Sequence, residues 1–117
     1  MKNMKKDIEQ IGMHASARDV LDDIRENGWF KEDIDLMKFA LAYAIRNELK
    51  PLEGPFTTSH NASSFDKDGK VRDLIQLYFQ DEEHIYRLAQ GLLNQGLIKI
   101  GEIYKDDGDF LLDSYLT

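Results

Sequence analysis

The sequence predicts an all-α fold: a single helical domain of about five helices, to which a short N-terminal β-strand can be added. Three observations predict it. The chain has 117 residues, which fits one domain. Apolar residues make up 42% and charged residues 32%, a balance that folds rather than staying disordered. Apolar positions also recur at i, i+3, i+4 along most of the length, which is the helical period, while alternation is confined to one short stretch.

Met1–Lys6 is polar and basic, and residues 1–7 read as a flexible basic terminus. Ile11 and Met13 alternate with Gln10, Gly12 and His14, the pattern of a short extended segment. A helix follows from about Ser16, whose hydroxyl suits an N-cap. Its apolar face is Val20, Leu21 and Ile24, its wet face Asp19, Asp22, Asp23, Arg25 and Glu26, and Asn27-Gly28 ends it. Trp29 and Phe30 lie in the turn beyond.

The strongest helix spans about Glu32 to Leu49. Glu32, Asp33 and Asp35 suit the positive end of its dipole. Ile34, Met37, Leu41, Ala44, Ile45 and Leu49 form its stripe, widened by Phe39, Ala40 and Ala42. Lys50-Pro51 is its stop signal. Residues 51–70 form a long polar loop holding both prolines, Pro51 and Pro55, with Phe56 and Phe65 as anchors. Val71, Leu74, Ile75 and Tyr78 predict a helix over about 70–79. Ile85, Leu88, Ala89 and Leu92 predict another over about 81–95, closed by Gly96. Leu97, Ile100, Ile103 and Tyr104 suggest one more, and Asp106-Asp107-Gly108 turns into a last short helix with Phe110, Leu111 and Tyr115.

Composition excludes several chemistries. No cysteine is present, so disulfides, thiolate metal sites and a cysteine nucleophile are excluded, and a cytoplasmic setting is expected. No apolar run approaches the ~18 residues of a membrane span, and no secretory signal is read at the start. Net charge is −7, unevenly spread. Residues 1–50 carry nine Lys/Arg against ten Asp/Glu, and residues 51–117 carry six against twelve. The second half is therefore a poor surface for phosphates.

Motifs for catalysis are weak. Asp66-Lys67-Asp68-Gly69 has the centre of a calcium loop, but Ser64 and Ile75 occupy the positions where the full pattern needs acids. A solvated turn before a helix is the plainer reading. Asp106-Asp107-Gly108-Asp109 reads as a turn whose Asp109 caps the final helix. Among His14, His60 and His84, none has a ligating partner at i+3 or i+4. His60 lies near Ser59, Ser63 and Ser64, which is proximity in sequence and not a triad. No phosphate-binding glycine loop occurs. No enzyme activity, metal or cofactor is expected.

Two resemblances bear on function. The order extended stretch, helix, glycine turn, longer Ala-rich helix, with Ala40-Leu41-Ala42-Tyr43-Ala44, is similar to ribbon-helix-helix proteins. That resemblance implies a dimer whose paired strands enter the DNA major groove. Against it, the groove-facing sets (Gln10, Gly12 and His14, or Ile11 and Met13) carry no cation. A second pattern runs through Ser16–Asp23, Phe30-Lys31, Phe39–Ala44, Asp81-Glu82-Glu83, Leu88-Ala89, Gly96-Leu97 and Gly108–Leu111. It resembles a family of small accessory proteins encoded beside DNA phosphorothioation (Dnd) and related phage-defence systems. That resemblance implies a defence-cluster context and a partner protein, and it supplies no catalytic residues.

The leading expectation is a non-enzymatic accessory or adaptor protein acting through protein–protein contacts or self-association. Its candidate partner-binding residues are Trp29, Phe30, Met37, Leu41 and Tyr43. The alternative is a dimeric DNA binder using Lys2, Lys5, Lys6 and Arg18, disfavoured by the net charge.

Overall fold

The computed structural model describes residues 7–107 apart from 27 and 29, with side chains described through Tyr104. The expectations placed on Lys2, Lys5, Lys6, Trp29 and the segment 110–115 lie outside the described residues. The element order is β1 (Gln10–Met13), α1 (Ala15–Arg25), α2 (Asp33–Arg46), β2 (Thr57–Asn61), α3 (Ala62–Phe65), α4 (Lys70–Tyr78) and α5 (Ile85–Asp107). The protein is mostly helical, and the five helices among the described residues are joined by a two-stranded antiparallel sheet that an all-α description omits.

The strand at Gln10–Met13 finds its partner inside its own chain. β2 arises in the segment 51–70, which was expected to be a structureless polar loop. Gln10 pairs with Asn61, Ile11 with His60, Gly12 with Thr58 and Met13 with Thr57, so Ser59 is left unmatched at a bulge. The segment is polar because the exposed face of this ribbon is wet, while Ile11 and Met13 enter the core.

α5 is the axis of the molecule, packed by α1, α2, α4 and β1. The sequence suggests two helices broken at Gly96, yet the helix runs through it without interruption. Gly96 has a different task. A Cβ there would collide with the Ala40 carbonyl oxygen and lie 2.9 Å from the Ala40 carbonyl carbon, so the missing side chain is what lets α2 lie against α5. Two more glycines repeat the device. A Cβ at Gly91 would sit 2.6 Å from Pro51 Cβ, and one at Gly101 would sit 2.5 Å from Val20 Cγ2. A five-residue step rotates about 140° around a helix at 3.6 residues per turn. The three glycines therefore open three different faces, to the segment after α2, to α2 and to α1.

Buried leucines and isoleucines fill the space between. Leu21 and Ile24 of α1, Leu36, Met37 and Leu41 of α2, and Leu92, Leu93 and Leu97 of α5 are almost wholly shielded. α1 and α2 are clamped at their open end by charge. Asp33 at the first position of α2 receives the Arg25 guanidinium in a close ion pair, with Arg18 at 3.8 Å.

Three helix ends differ from the sequence expectation. His14, not Ser16, caps α1: its Nδ1 accepts the Ser16 N–H at 3.1 Å. Asp7 is not part of a loose terminus. Its carboxylate accepts the N–H groups of Tyr86 (2.7 Å) and Arg87 (2.9 Å) in the first turn of α5. α2 stops at Arg46, short of Lys50-Pro51, in a Schellman turn. The Leu49 N–H reaches the Ala44 carbonyl at 2.9 Å and the Glu48 N–H reaches that of Ile45 at 3.1 Å. Glu48 holds the left-handed position at φ 54° that glycine normally occupies. Replacing Glu48 by Gly is expected to raise stability by about 0.5–1 kcal/mol, by removing the Cβ clash of a left-handed residue. Urea denaturation reads this as a higher midpoint with an unchanged slope.

Candidate functional site

α4 is held so that one side of it stays unused. Asp66, expected on a solvated turn, is in fact buried. Its carboxylate accepts the N–H of Val71 (2.9 Å), the N–H of Arg72 (3.0 Å) and the phenol of Tyr86 (2.8 Å). These bonds fix the first turn of α4 onto α5 and point Val71 and Ile75 inward. The Arg72 guanidinium lies 5.7 Å from the centre of the Tyr86 ring, adding a cation–π contact. Burial, together with the hydrogen bond to the Asp66 carboxylate, pushes the Tyr86 phenol above its ordinary value.

With Val71 and Ile75 inward, the rest of the apolar surface of α4 faces away. Leu77 is 68% exposed and Tyr78 61% exposed, and they are the exposed large hydrophobic residues among those described. Leu74 stands between them and the body, half-buried. Leu74, Leu77 and Tyr78 fall at i, i+3, i+4, a stripe of helical spacing that the interior does not use. Opposite lie Ala42 and Ile45 of α2. Between the two helices runs a groove of about 540 Å³, lined by Ala42, Ile45, Arg46, Glu48, Leu74 and Tyr78. Past Leu74 it continues into a shallower hollow of about 180 Å³, where Lys38, Asp68 and Lys70 stand at the rim. The Lys38 ammonium is also 6.0 Å from the centre of the Phe65 ring.

The described members of the partner-binding set expected from the sequence, Phe30, Met37, Leu41 and Tyr43, are placed elsewhere. Met37 and Leu41 are interior residues packed on α5 and have almost no surface to offer, because their stripe is the one that the axis helix requires. Phe30 is half-buried and stacks at a tilt on Phe39, with ring centres 5.6 Å apart. Tyr43 is half-buried against the core and is engaged within the chain. The α2/α4 groove instead uses the outer face of α2. The sequence did carry a signal for this: five apolar residues in eight, Val71 to Tyr78, are more than one face of a short helix can bury.

Of the residues expected to meet DNA, Arg18 is the one that is described. Arg18 is paired with Asp33. Both edges of β1 are occupied. One carries β2. On the other, Gln90 Oε1 accepts the Gly12 N–H at 2.7 Å, Asn94 Oδ1 accepts the His14 N–H at 2.8 Å, and Asn94 Nδ2 donates to the Gly12 carbonyl at 3.0 Å. A second chain's strand would find no free ladder on β1, which removes the geometric basis of a paired ribbon.

Two further features have chemical groups in reach. Ser59 Oγ and His60 Nδ1 are 2.7 Å apart, a contact between sequence neighbours at the bulge of β2. A separate cleft of about 640 Å³ lies between Ile8, the segment 51–56 and the start of α5. Among the described residues, no group of three or more His, Asp or Glu is arranged to hold a metal ion, and no helix is long and apolar enough to cross a membrane. No family model, curated protein or solved structure matches this chain.

Proposed function

We propose that this chain is a non-enzymatic accessory protein that works by holding an amphipathic helix of a basic partner protein in the groove between α2 and α4. The observation that carries this reading is an open groove walled by Leu74 and Tyr78 of α4 and by Ala42 and Ile45 of α2, with the exposed Leu77 next to Tyr78 on the same helix. A groove with apolar side chains from two helices suits an occupant that is itself an amphipathic helix, with anchors at i, i+3, i+4. Leaving two large side chains in water costs an isolated domain solubility and gains it nothing.

Charge selects the partner. The chain carries −7, so a second copy approaches against repulsion, while a basic protein is drawn in. Around the groove, Lys38, Arg46 and Lys70 alternate with Glu48 and Asp68, which gives register rather than net attraction. The setting implied by the resemblance to Dnd-associated accessory proteins, a DNA-modification or phage-defence gene cluster, belongs to the same proposal. Its support is the residue spacing set out above.

A photo-crosslinking amino acid at position 77, with a control at exposed Asp22, tests the groove in cells that express the protein. The expected result is one protein captured from position 77 alone, through a segment that is basic and amphipathic as a helix. Leu77→Asp should then weaken binding of that segment at least about tenfold, as expected for a large exposed apolar side chain beside the groove, with no loss of fold. Identical products from positions 77 and 22, or homodimers only, would exclude the reading.

A further inference from the structure

The cleft at the start of α5 shares no lining residue with that groove. One wall is a face of α5 on which Arg87, Leu88 and Gly91 follow at i, i+1, i+4, preceded by His84 just before the helix and with Gln90 beside them. The other wall is the segment after α2. It is stitched to the helix where the Leu52 N–H meets the Gly91 carbonyl at 2.9 Å and Pro51 fills the space over Gly91. Ile8 and Phe56 complete an apolar lining. The volume, about 640 Å³, falls within the range of small-molecule sites.

The polar group set deepest in this lining is the amide of Gln90. The residue is only 8% exposed. Its orientation is fixed, because the Gly12 N–H is a donor and needs the amide oxygen, which it meets at 2.7 Å. The amide nitrogen is thereby left with two N–H groups. It has no acceptor among the described residues, and it is not one of their sealed, unsatisfied atoms. A residue buried to this degree rarely keeps an unused donor unless water or a ligand takes it. Three residues earlier on the same helix wall stands the Arg87 guanidinium. Among the described residues no acid is bonded to these donors: Glu82 accepts the His84 N–H at 3.1 Å, Glu53 is exposed, and Asp7 beside Ile8 accepts the backbone N–H groups of Tyr86 and Arg87. Together Glu53 and Glu82 set a negative rim that penalises a second anionic charge.

We propose that this cleft is a binding site for a small monocarboxylic acid with an apolar body. The carboxylate takes the Gln90 amide N–H and the Arg87 guanidinium, and the body lies against Ile8, Leu52, Phe56 and Leu88. The donor at depth selects an acceptor over an amine, the guanidinium favours an anion over a neutral amide, and the rim limits that anion to one charge.

The test is a titration of the uniformly 15N-labelled full chain with phenylacetate, phenylacetamide and benzylamine, followed by NMR. The expected result is a saturable shift of the Gln90 side-chain amide with phenylacetate, with a Kd on the order of 1 mM for a ligand of this size. Phenylacetamide should bind about tenfold more weakly, and benzylamine should not move the Gln90 amide. Gln90→Glu keeps an oxygen for the Gly12 N–H but replaces the donor with a negative charge, and should abolish phenylacetate binding. Arg87→Gln, at an exposed side chain, should lower phenylacetate affinity to that of phenylacetamide. No saturable shift, equal binding of benzylamine, or an Arg87→Gln chain that holds phenylacetate as tightly as the parent would overturn the proposal. Leu77→Asp should leave the titration unchanged, which separates this site from the α2/α4 groove.

Discussion

Asn94→Asp is expected to cost about 3–4 kcal/mol at neutral pH, although it exchanges a single NH2 for an oxygen. Asn94 is wholly buried in α5, and all of its amide is in use. Its oxygen accepts the His14 N–H at 2.8 Å. Its nitrogen donates to the carbonyls of Gly12 at 3.0 Å and Gln90 at 2.8 Å. The side chain thus meets β1 as a third strand would, with one donor and one acceptor on its free edge. A carboxylate in its place would hold a buried charge against two carbonyl oxygens with no donor to satisfy them. Burial and those carbonyls would raise the pKa of the new carboxyl above its unfolded value. The neutral form is then the one the fold favours, so the deficit should shrink as pH falls below that raised pKa and be full above it. Urea unfolding of parent and variant between mildly acidic and neutral pH measures both parts. A variant within about 1 kcal/mol of the parent at neutral pH would mean that the amide network contributes little.

Gly96→Ala should cost about 2–4 kcal/mol, against a helix-propensity gain of about 1 kcal/mol that by itself would favour the change. The obstacle is backbone. The new methyl group would run into the Ala40 carbonyl, and neither that peptide group nor the helix axis can rotate aside. α2 would have to lift from α5 along the line where Leu36, Met37 and Leu41 are packed. Thermal and urea unfolding should both register the loss. A variant more stable than the parent would show that the two helices are not in close contact at this point.

The sequence made the helical class legible through period alone, and the helix over 70–79 was drawn with nearly its true ends, Lys70–Tyr78. It misled at Gly96 and at Lys50-Pro51 for opposite reasons. A glycine that ends a helix and a glycine that admits a neighbour look alike until the neighbour is known. Glu48 in the left-handed position gives no sign of a stop, so α2 appeared longer than it is. β2 was invisible because Thr57–Asn61 has no apolar alternation, its role being to pair backbone rather than to bury side chains. The same blindness affected the site. Period identified the apolar residues of α2 and α4, but only the packing shows which of them the interior consumes, Met37 and Leu41, and which it leaves over, Leu77 and Tyr78. Gln90 carried no signal at all. Its interest comes from a bond to a residue 78 positions away.

The order in which the chain leaves the ribosome gives the central place of α5 a cost. Asp7, Gly12 and His14 are synthesised 78 to 80 residues ahead of their partners Tyr86, Gln90 and Asn94. Until then α1 and α2 have no third body to cover their apolar stripes, and the strand pair has one edge open. Native structure is therefore withheld until α5 has emerged, and the nascent segment ahead of it depends on being shielded over that interval.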